Sequence, residues 1–99
     1  MRLENGYETC TTFWEDFTIA DAFGDKAIED TFKRSFKGWK YNVKYMTELA
    51  MVMSWKSCAW YEKNQERSAL YSRLYHQADE YCLDNFKGED LRYYIQTTD

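Results

Sequence analysis

Two aspartates lie among aromatic residues in the segment FWEDFTIADAFG, residues 13–24. On a helix, Asp21 falls between Trp14 and Phe17 on the apolar side, and burying a bare carboxylate costs several kcal/mol. Asp16 is misplaced in the same way, so each acid must be paired or reach water. The favoured interpretation is structural: Asp21 accepts amides from the start of the next helix, with Trp and Tyr side chains as further donors. The alternative is a polar pocket of Asp16, Asp21 and Trp14 that holds a cation or a ligand's donor groups.

Other groups with reactive chemistry are few. His76, the single histidine, precedes Glu80 by four residues, but two ligands do not make a metal site. Cys58 and Cys82 stand beside apolar neighbours and are expected to be packed thiols. There is no Gly-rich phosphate loop and no nucleophile motif. We therefore assign no catalytic residue, no metal and no cofactor, and we expect a protein that is not an enzyme.

A basic stretch follows an acidic one. Residues 1–30 hold eight acids and two bases, whereas residues 31–44 hold five bases and no acid. The bases alternate with rings, a pattern typical of single-strand nucleic-acid binding; they are Lys33, Arg34, Lys37, Lys40 and Lys44, beside Phe36, Trp39, Tyr41 and Tyr45. The structural interpretation is favoured, with Glu29–Lys33 and Asp30–Arg34 as pairs along one helix. Nucleic acid is not the expected partner, because an acidic domain with one basic stretch binds polyanions weakly.

A stripe along the third predicted helix has charged ends and an apolar middle. It includes Lys44, Glu48, Met51 and Trp55. If another helix covers its middle, the stripe is ordinary core; if none does, Met51 and Trp55 form an apolar patch with a charged rim. These four residues are the candidate partner patch, for an unknown protein or for a second copy of the chain.

The elements that position these residues are helices, because the apolar spacing is helical from Thr12 onward. We predict an all-α fold: a compact small bundle with main helices at about 26–37, 42–63 and 65–86, and short helices at about 13–23 and 90–95. The chain of 99 residues is expected to be one domain, with residues 1–11 flexible or a short hairpin.

Local signals place the predicted helix ends. Thr12 and Glu15 fit a capping box, Gly24 ends the first helix, and Asp25 fits the N-cap of the second. Gly38 either ends that second helix or is passed by it. Helix 42–63 is apolar on most of its circumference, so it should be the central element, with the other helices packed around it.

Composition restricts the class of protein further. No apolar run approaches the roughly 20 residues of a membrane span, and the N-terminus lacks a secretory signal. The three cysteines are an odd number without CxxC spacing. We therefore expect a soluble cytoplasmic protein without a membrane partner.

Three segments together resemble a known group of sequences: TTFWEDFTIADAFG, YNVKYMTELAMVMSWK and KGEDLRYYIQTTD. They are similar to an uncharacterised family of short helical proteins from gut Bacteroides-type bacteria and their phages or mobile elements. The resemblance extends over residues 11–99 and implies a small intracellular accessory protein, without any site residue to transfer. A non-enzymatic interaction protein is therefore the favoured function. The alternatives are a ligand- or cation-binding domain at Asp16 and Asp21, and nucleic-acid binding through residues 33–44.

Overall fold

Five α-helices make up the chain in a computed structural model that describes residues 11–98. They are α1 (Phe13–Phe23), α2 (Asp25–Trp39), α3 (Val43–Trp60), α4 (Gln65–Asn85) and α5 (Gly88–Thr98). The predicted all-α class is confirmed for this range. Residues 1–11 were predicted to be flexible or a short hairpin, and residues 1–10 of that segment lie outside the described residues. No helix within 11–98 combines the length and the apolarity that crossing a bilayer requires.

The turn between α1 and α2 is built on a single glycine. Gly24 has a φ of 112°, in the left-handed region that favours glycine, and it flanks both helices. Asp25 is therefore the first residue of α2 and not its N-cap, so that prediction was wrong. The predicted capping box was also wrong, because the Thr12 hydroxyl donates to Asp16 Oδ2 at 3.1 Å instead of capping a backbone amide.

The α2 helix passes through Gly38 and ends at Trp39. A turn then leads to Asn42, whose Oδ1 accepts the Tyr45 amide at 3.0 Å and caps α3. Asn64 caps α4 in the same way, accepting the Arg67 amide at 3.0 Å. These two caps make α3 shorter at both ends than the predicted helix 42–63.

The α3 helix is the central element, as predicted, and it contacts each of the other four helices. Its middle is fully covered, with Met46, Leu49 and Met53 inaccessible to solvent. It forms a hairpin with α4, in which each of Ser57 and Ser68 donates its hydroxyl to the other's carbonyl, at 2.9 and 2.7 Å. The side chains on α3 are therefore positioned by helices on several sides.

The α5 helix closes the bundle against α3 and α4. It is longer than the predicted helix 90–95, and its buried Tyr94 donates its hydroxyl to Asp79 of α4. The described residues form a compact globule of 38 × 26 × 20 Å. Most of the large buried side chains belong to one continuous core.

Candidate functional site

Asp21 lies at the centre of a buried polar network. Its side chain is 11% exposed, and Oδ2 accepts from Lys56 Nζ at 2.9 Å and from Trp60 Nε1 at 3.2 Å. Oδ1 accepts the hydroxyl of Tyr71. The predicted Trp and Tyr donors are confirmed as Trp60 and Tyr71, whereas the predicted α2 amides are not among the donors and the lysine was not predicted. Asp21 joins the end of α1 to both long helices.

Lys56 is the cation of this network. Its side chain is only 6% exposed, and Nζ donates to Thr18 Oγ1 at 2.7 Å as well as to Asp21. The same ammonium lies 4.3 Å from the centroid of the Trp14 ring, within the range of a cation–π interaction. Trp14 and Asp21 thus share one site, as the pocket hypothesis supposed, but the chain's own lysine occupies the place of an external cation.

Arg67 extends the network to the start of α2. Its Nη1 donates to the Asp21 carbonyl at 2.9 Å, and its Nε donates to Asp25 Oδ1 at 3.0 Å. The guanidinium also lies 4.8 Å from the Trp60 ring centroid. Burial, the hydrogen bond to Asp21 and the Asp21 charge all raise the pKa of Tyr71 well above its usual value, so its hydroxyl remains a donor. The whole network is internally satisfied and holds four helices together.

Asp16 belongs to a different place. It lines a groove of about 340 Å³ between α1, α2 and the start of α3, together with Arg34, Trp39 and Tyr45. Its hydrogen-bonding partner is Thr12, which does not contact the Asp21 network. The structure therefore does not bring Asp16 and Asp21 into one pocket.

The candidate partner patch on α3 is mostly covered. Met51 is 8% exposed, and Trp55 is half-buried and packs against the core. Glu48 is also half-buried, whereas Lys44 is exposed. Met51 is therefore core, and Trp55 is partly core, so the apolar middle of this stripe is not the open patch that the partner hypothesis needs.

The remaining groups with reactive chemistry are His76, Glu80, Cys58 and Cys82. His76 and Glu80 are both exposed, and within 11–98 no three His, Cys, Asp or Glu side chains are grouped to hold a metal. Cys58 is exposed, contrary to the prediction of a packed thiol, whereas Cys82 is buried. Burial, aided by the Asp79 charge, raises the pKa of the Cys82 thiol to about 12, which keeps it protonated at neutral pH.

The ion pairs predicted along α2 are wrong. Glu29 accepts from Arg73 Nη2 of α4 at 2.6 Å, and Asp30 pairs with Lys26 at 3.2 Å, one turn earlier. Glu29 faces α4, so the interhelical arginine competes successfully with Lys33 for its carboxylate. The acids of α2 consequently neutralise bases outside the basic stretch.

Five bases of α2, the following turn and the start of α3 remain: Lys33, Lys37 and Lys40 line a groove against α4, Arg34 lines the groove that contains Asp16, and Lys44 is exposed on α3. These bases make no ion pair with any residue of 11–98, and two exposed rings flank Lys40 in the chain. Trp39 is 42% and Tyr41 85% exposed, and Lys40 Nζ lies 5.2 Å from the Tyr41 ring centroid. We call this set the basic surface; it comprises Lys33, Arg34, Lys37, Lys40 and Lys44 with Trp39 and Tyr41.

No family model, curated protein or solved structure matches this chain. The functional assignment therefore depends on the geometry of the chain itself.

Sequence reasoning did not identify Lys56 and Arg67. A usable signal exists for Lys56, which follows Leu49 by seven residues and Met53 by three and so continues an apolar stripe. A lysine in the apolar stripe of one helix and an aspartate in the apolar stripe of another helix are expected to form a buried ion pair. Arg67 offers no comparable signal, because an arginine in the first turn of a helix is expected to be solvated, whereas its side chain is only 15% exposed here.

Proposed function

We propose that this chain is a small non-enzymatic binding protein that attaches to an acidic protein partner through the basic surface. The observation that carries the proposal is the set of five cations without a carboxylate partner in residues 11–98. Elsewhere in the fold, Lys26, Lys56, Arg67 and Arg73 are each paired with an acid, and the other bases of 11–98 without an ion pair, Lys63, Lys87 and Arg92, are separated from one another along the chain. Cations left together on one surface raise the local potential and attract an anionic partner.

The exposed rings support the same proposal. Aromatic residues and arginine are enriched at protein interfaces, where a flat ring buries area with little loss of conformational freedom. Tyr41 is 85% exposed, with the Lys40 ammonium 5.2 Å from its ring centroid, so the ring contributes little to the core. A partner that covers Tyr41 and Trp39 would bury apolar area while its acids meet the lysines.

A protein partner is favoured over nucleic acid because the rest of the surface is acidic. The chain has a formal net charge of −4. A long polyanion would extend beyond the basic surface towards exposed acids such as Glu80 and Asp84, and it would be repelled there. An acidic segment on a folded protein can remain within the basic surface.

Nucleic acid is the second candidate, because Trp39 and Tyr41 could stack on unpaired bases between the lysines. We further propose an accessory role in a phage or mobile element, which follows the resemblance of segments 11–24, 41–56 and 87–99. An intracellular location belongs to the same proposal.

A charge-reversal pair tests the proposed function. Lys37→Glu/Lys40→Glu reverses the centre of the basic surface, and Lys63→Glu/Lys87→Glu is the matched control, with the same charge change at exposed sites elsewhere. Each protein is immobilised and exposed to nuclease-treated host extract, and the bound proteins are quantified by mass spectrometry. We expect acidic proteins to bind the wild type and the control but not Lys37→Glu/Lys40→Glu.

Equal capture by all three proteins would overturn the proposal. Fluorescence anisotropy with a single-stranded oligonucleotide addresses the second candidate. Binding that falls with salt and is lost in Lys37→Glu/Lys40→Glu, without differential protein capture, would replace the protein partner by nucleic acid. Light scattering shows whether a second copy of the chain is the partner.

A further inference from the structure

A groove between α2 and α4 is lined by both aromatic rings and lysines. It measures about 310 Å³ and is lined by Phe32, Phe36, Lys33, Lys37, Lys40 and Gln77. Small-molecule sites usually occupy about 300–1,000 Å³, so the groove is at the lower end of that range. It is large enough for a short chain or a single ring.

The floor of the groove consists of aromatic rings. The Phe36 ring centroid lies 5.7 Å from that of Phe32 and 4.9 Å from that of Tyr81 on α4. Phe32 is buried and Phe36 half-buried, so these rings hold the two helices together and keep the floor in place. An apolar ligand body could lie on this floor without displacing a hydrogen bond.

The two walls of the groove differ in charge. Lys33, Lys37 and Lys40 follow one another along the α2 wall, and none of them pairs with a carboxylate of residues 11–98. The α4 wall contributes the neutral amide of Gln77. A ligand that fits these walls has an apolar body and an anionic end group directed towards the lysines.

We infer that this groove is a binding site for a medium-chain aliphatic carboxylate, a free fatty-acid anion whose chain lies on the Phe32–Phe36 floor. The carboxylate meets the ammonium groups of the α2 wall, and the Gln77 amide donates to its second oxygen. This site goes beyond the proposed function, since it needs the apolar floor and Gln77 as well as the lysines. The exposed rings Trp39 and Tyr41 are not required for it.

The test uses decanoate and the full chain labelled with ¹⁵N. Amide shifts are followed during titration below the micellar concentration, with decyltrimethylammonium as the probe of opposite charge. We expect saturable shifts in residues 32–40 and around Gln77 with decanoate, and no saturable shift with the cation. Failure of decanoate to shift these amides, or equal shifts with both probes, would overturn the inference.

A substitution on the neutral wall sharpens the test. Gln77→Glu places a carboxylate opposite the lysines and should weaken decanoate binding about fivefold. His76→Glu is the matched control, because it adds the same charge at the adjacent exposed position outside the groove. Equal binding by the two variants would contradict the assigned groove.

The outcomes for the two proposals are separable. Gln77→Glu keeps all five bases and both exposed rings, so capture of an acidic protein should persist when decanoate binding falls. If decanoate binds as expected and Lys37→Glu/Lys40→Glu leaves protein capture unchanged, only the proposed function fails. If an acidic protein competes with decanoate for the wild type, the two ligands share the lysines and both proposals stand.

Discussion

At the scale of single residues, a buried ion pair joins α1 to α3, with Asp21 Oδ2 2.9 Å from Lys56 Nζ. The position of Asp21 inside an apolar face showed that it needed partners. Helical periodicity shows which residues of one helix share a face. It does not show which face of another helix packs against that face. The identity of the partner, Lys56, therefore became clear only from the packing of α1 against α3.

Removing Lys56 should destabilise the fold strongly. Lys56→Met leaves the Asp21 carboxylate buried without its cation, and breaking one partner of a buried pair typically costs about 3–5 kcal/mol. We expect a loss of about 3 kcal/mol in the free energy of unfolding, measured by urea denaturation with circular dichroism. Lys63→Met, at an exposed position in the α3–α4 turn, should change little.

The double variant distinguishes charge from packing. Asp21→Asn/Lys56→Met removes both charges, so it should lose less stability than Lys56→Met alone. If the loss of stability of the double variant, relative to the wild type, equals the sum of the losses of Asp21→Asn and Lys56→Met, the two side chains act independently.

The free energy of unfolding should fall at alkaline pH because three buried groups resist deprotonation in the fold: the Cys82 thiol and the hydroxyls of Tyr71 and Tyr94. The folded pKa of Cys82 is raised from 9.0 to about 12 by burial, and burial also raises the pKa values of Tyr71 and Tyr94. A raised pKa stabilises the fold fully below the unfolded value, and this stabilisation is lost as the pH rises through the folded value. The free energy of unfolding should therefore decrease from about pH 9 upward.

Urea denaturation over a pH series measures this decrease. Tyr71→Phe should reduce its slope above about pH 10, because one group that titrates in the unfolded chain is removed. A stability that does not change between neutral pH and strong alkali would contradict the burial of these groups.

At the scale of elements, the sequence predicted the presence of the helices better than it predicted where they begin and end. The bounds of α1 agree with the prediction because Gly24 is a strong local stop. The α3 helix was predicted too long, since Tyr61, Glu62 and Lys63 fit a helical pattern but precede the extended cap residue Asn64. The α5 helix was predicted too short: it begins at Gly88 and continues to Thr98, whose hydroxyl donates to the Tyr94 carbonyl one turn earlier.

Loss of the Tyr94–Asp79 hydrogen bond should loosen α5 selectively. Tyr94→Phe removes the donor to Asp79, and a hydrogen bond to a charged group contributes about 2 kcal/mol. In hydrogen exchange we expect the α5 amides to lose protection while the central α3 amides keep theirs. Tyr93→Phe is the control, because Tyr93 is the exposed neighbour on the same helix. Uniform loss of protection in all helices would show that α5 does not open independently.

At the scale of the whole molecule, the acidic and basic stretches are visible in the sequence, but the ion pairs predicted within α2 are wrong. Pairing along one helix was expected to neutralise the bases of α2, whereas Glu29 pairs with α4 and Asp30 with an earlier lysine. Such choices depend on which helices meet, and a one-dimensional pattern does not contain that information. The basic surface and the α2–α4 groove therefore became visible only when the five helices were assembled.

The clustering of these bases has a practical consequence for purification. The protein has a pI near 5.0 and is therefore negatively charged at pH 7. If its charges were evenly distributed over the surface, it would pass through a cation-exchange column at this pH. Because Lys33, Lys37 and Lys40 lie together along one groove, we expect retention on sulfonate resin at low ionic strength and elution with modest salt. Lys37→Glu/Lys40→Glu should flow through, whereas Lys63→Glu/Lys87→Glu should still be retained. The column thus responds to the distribution of charge over the molecule, which the isoelectric point does not describe.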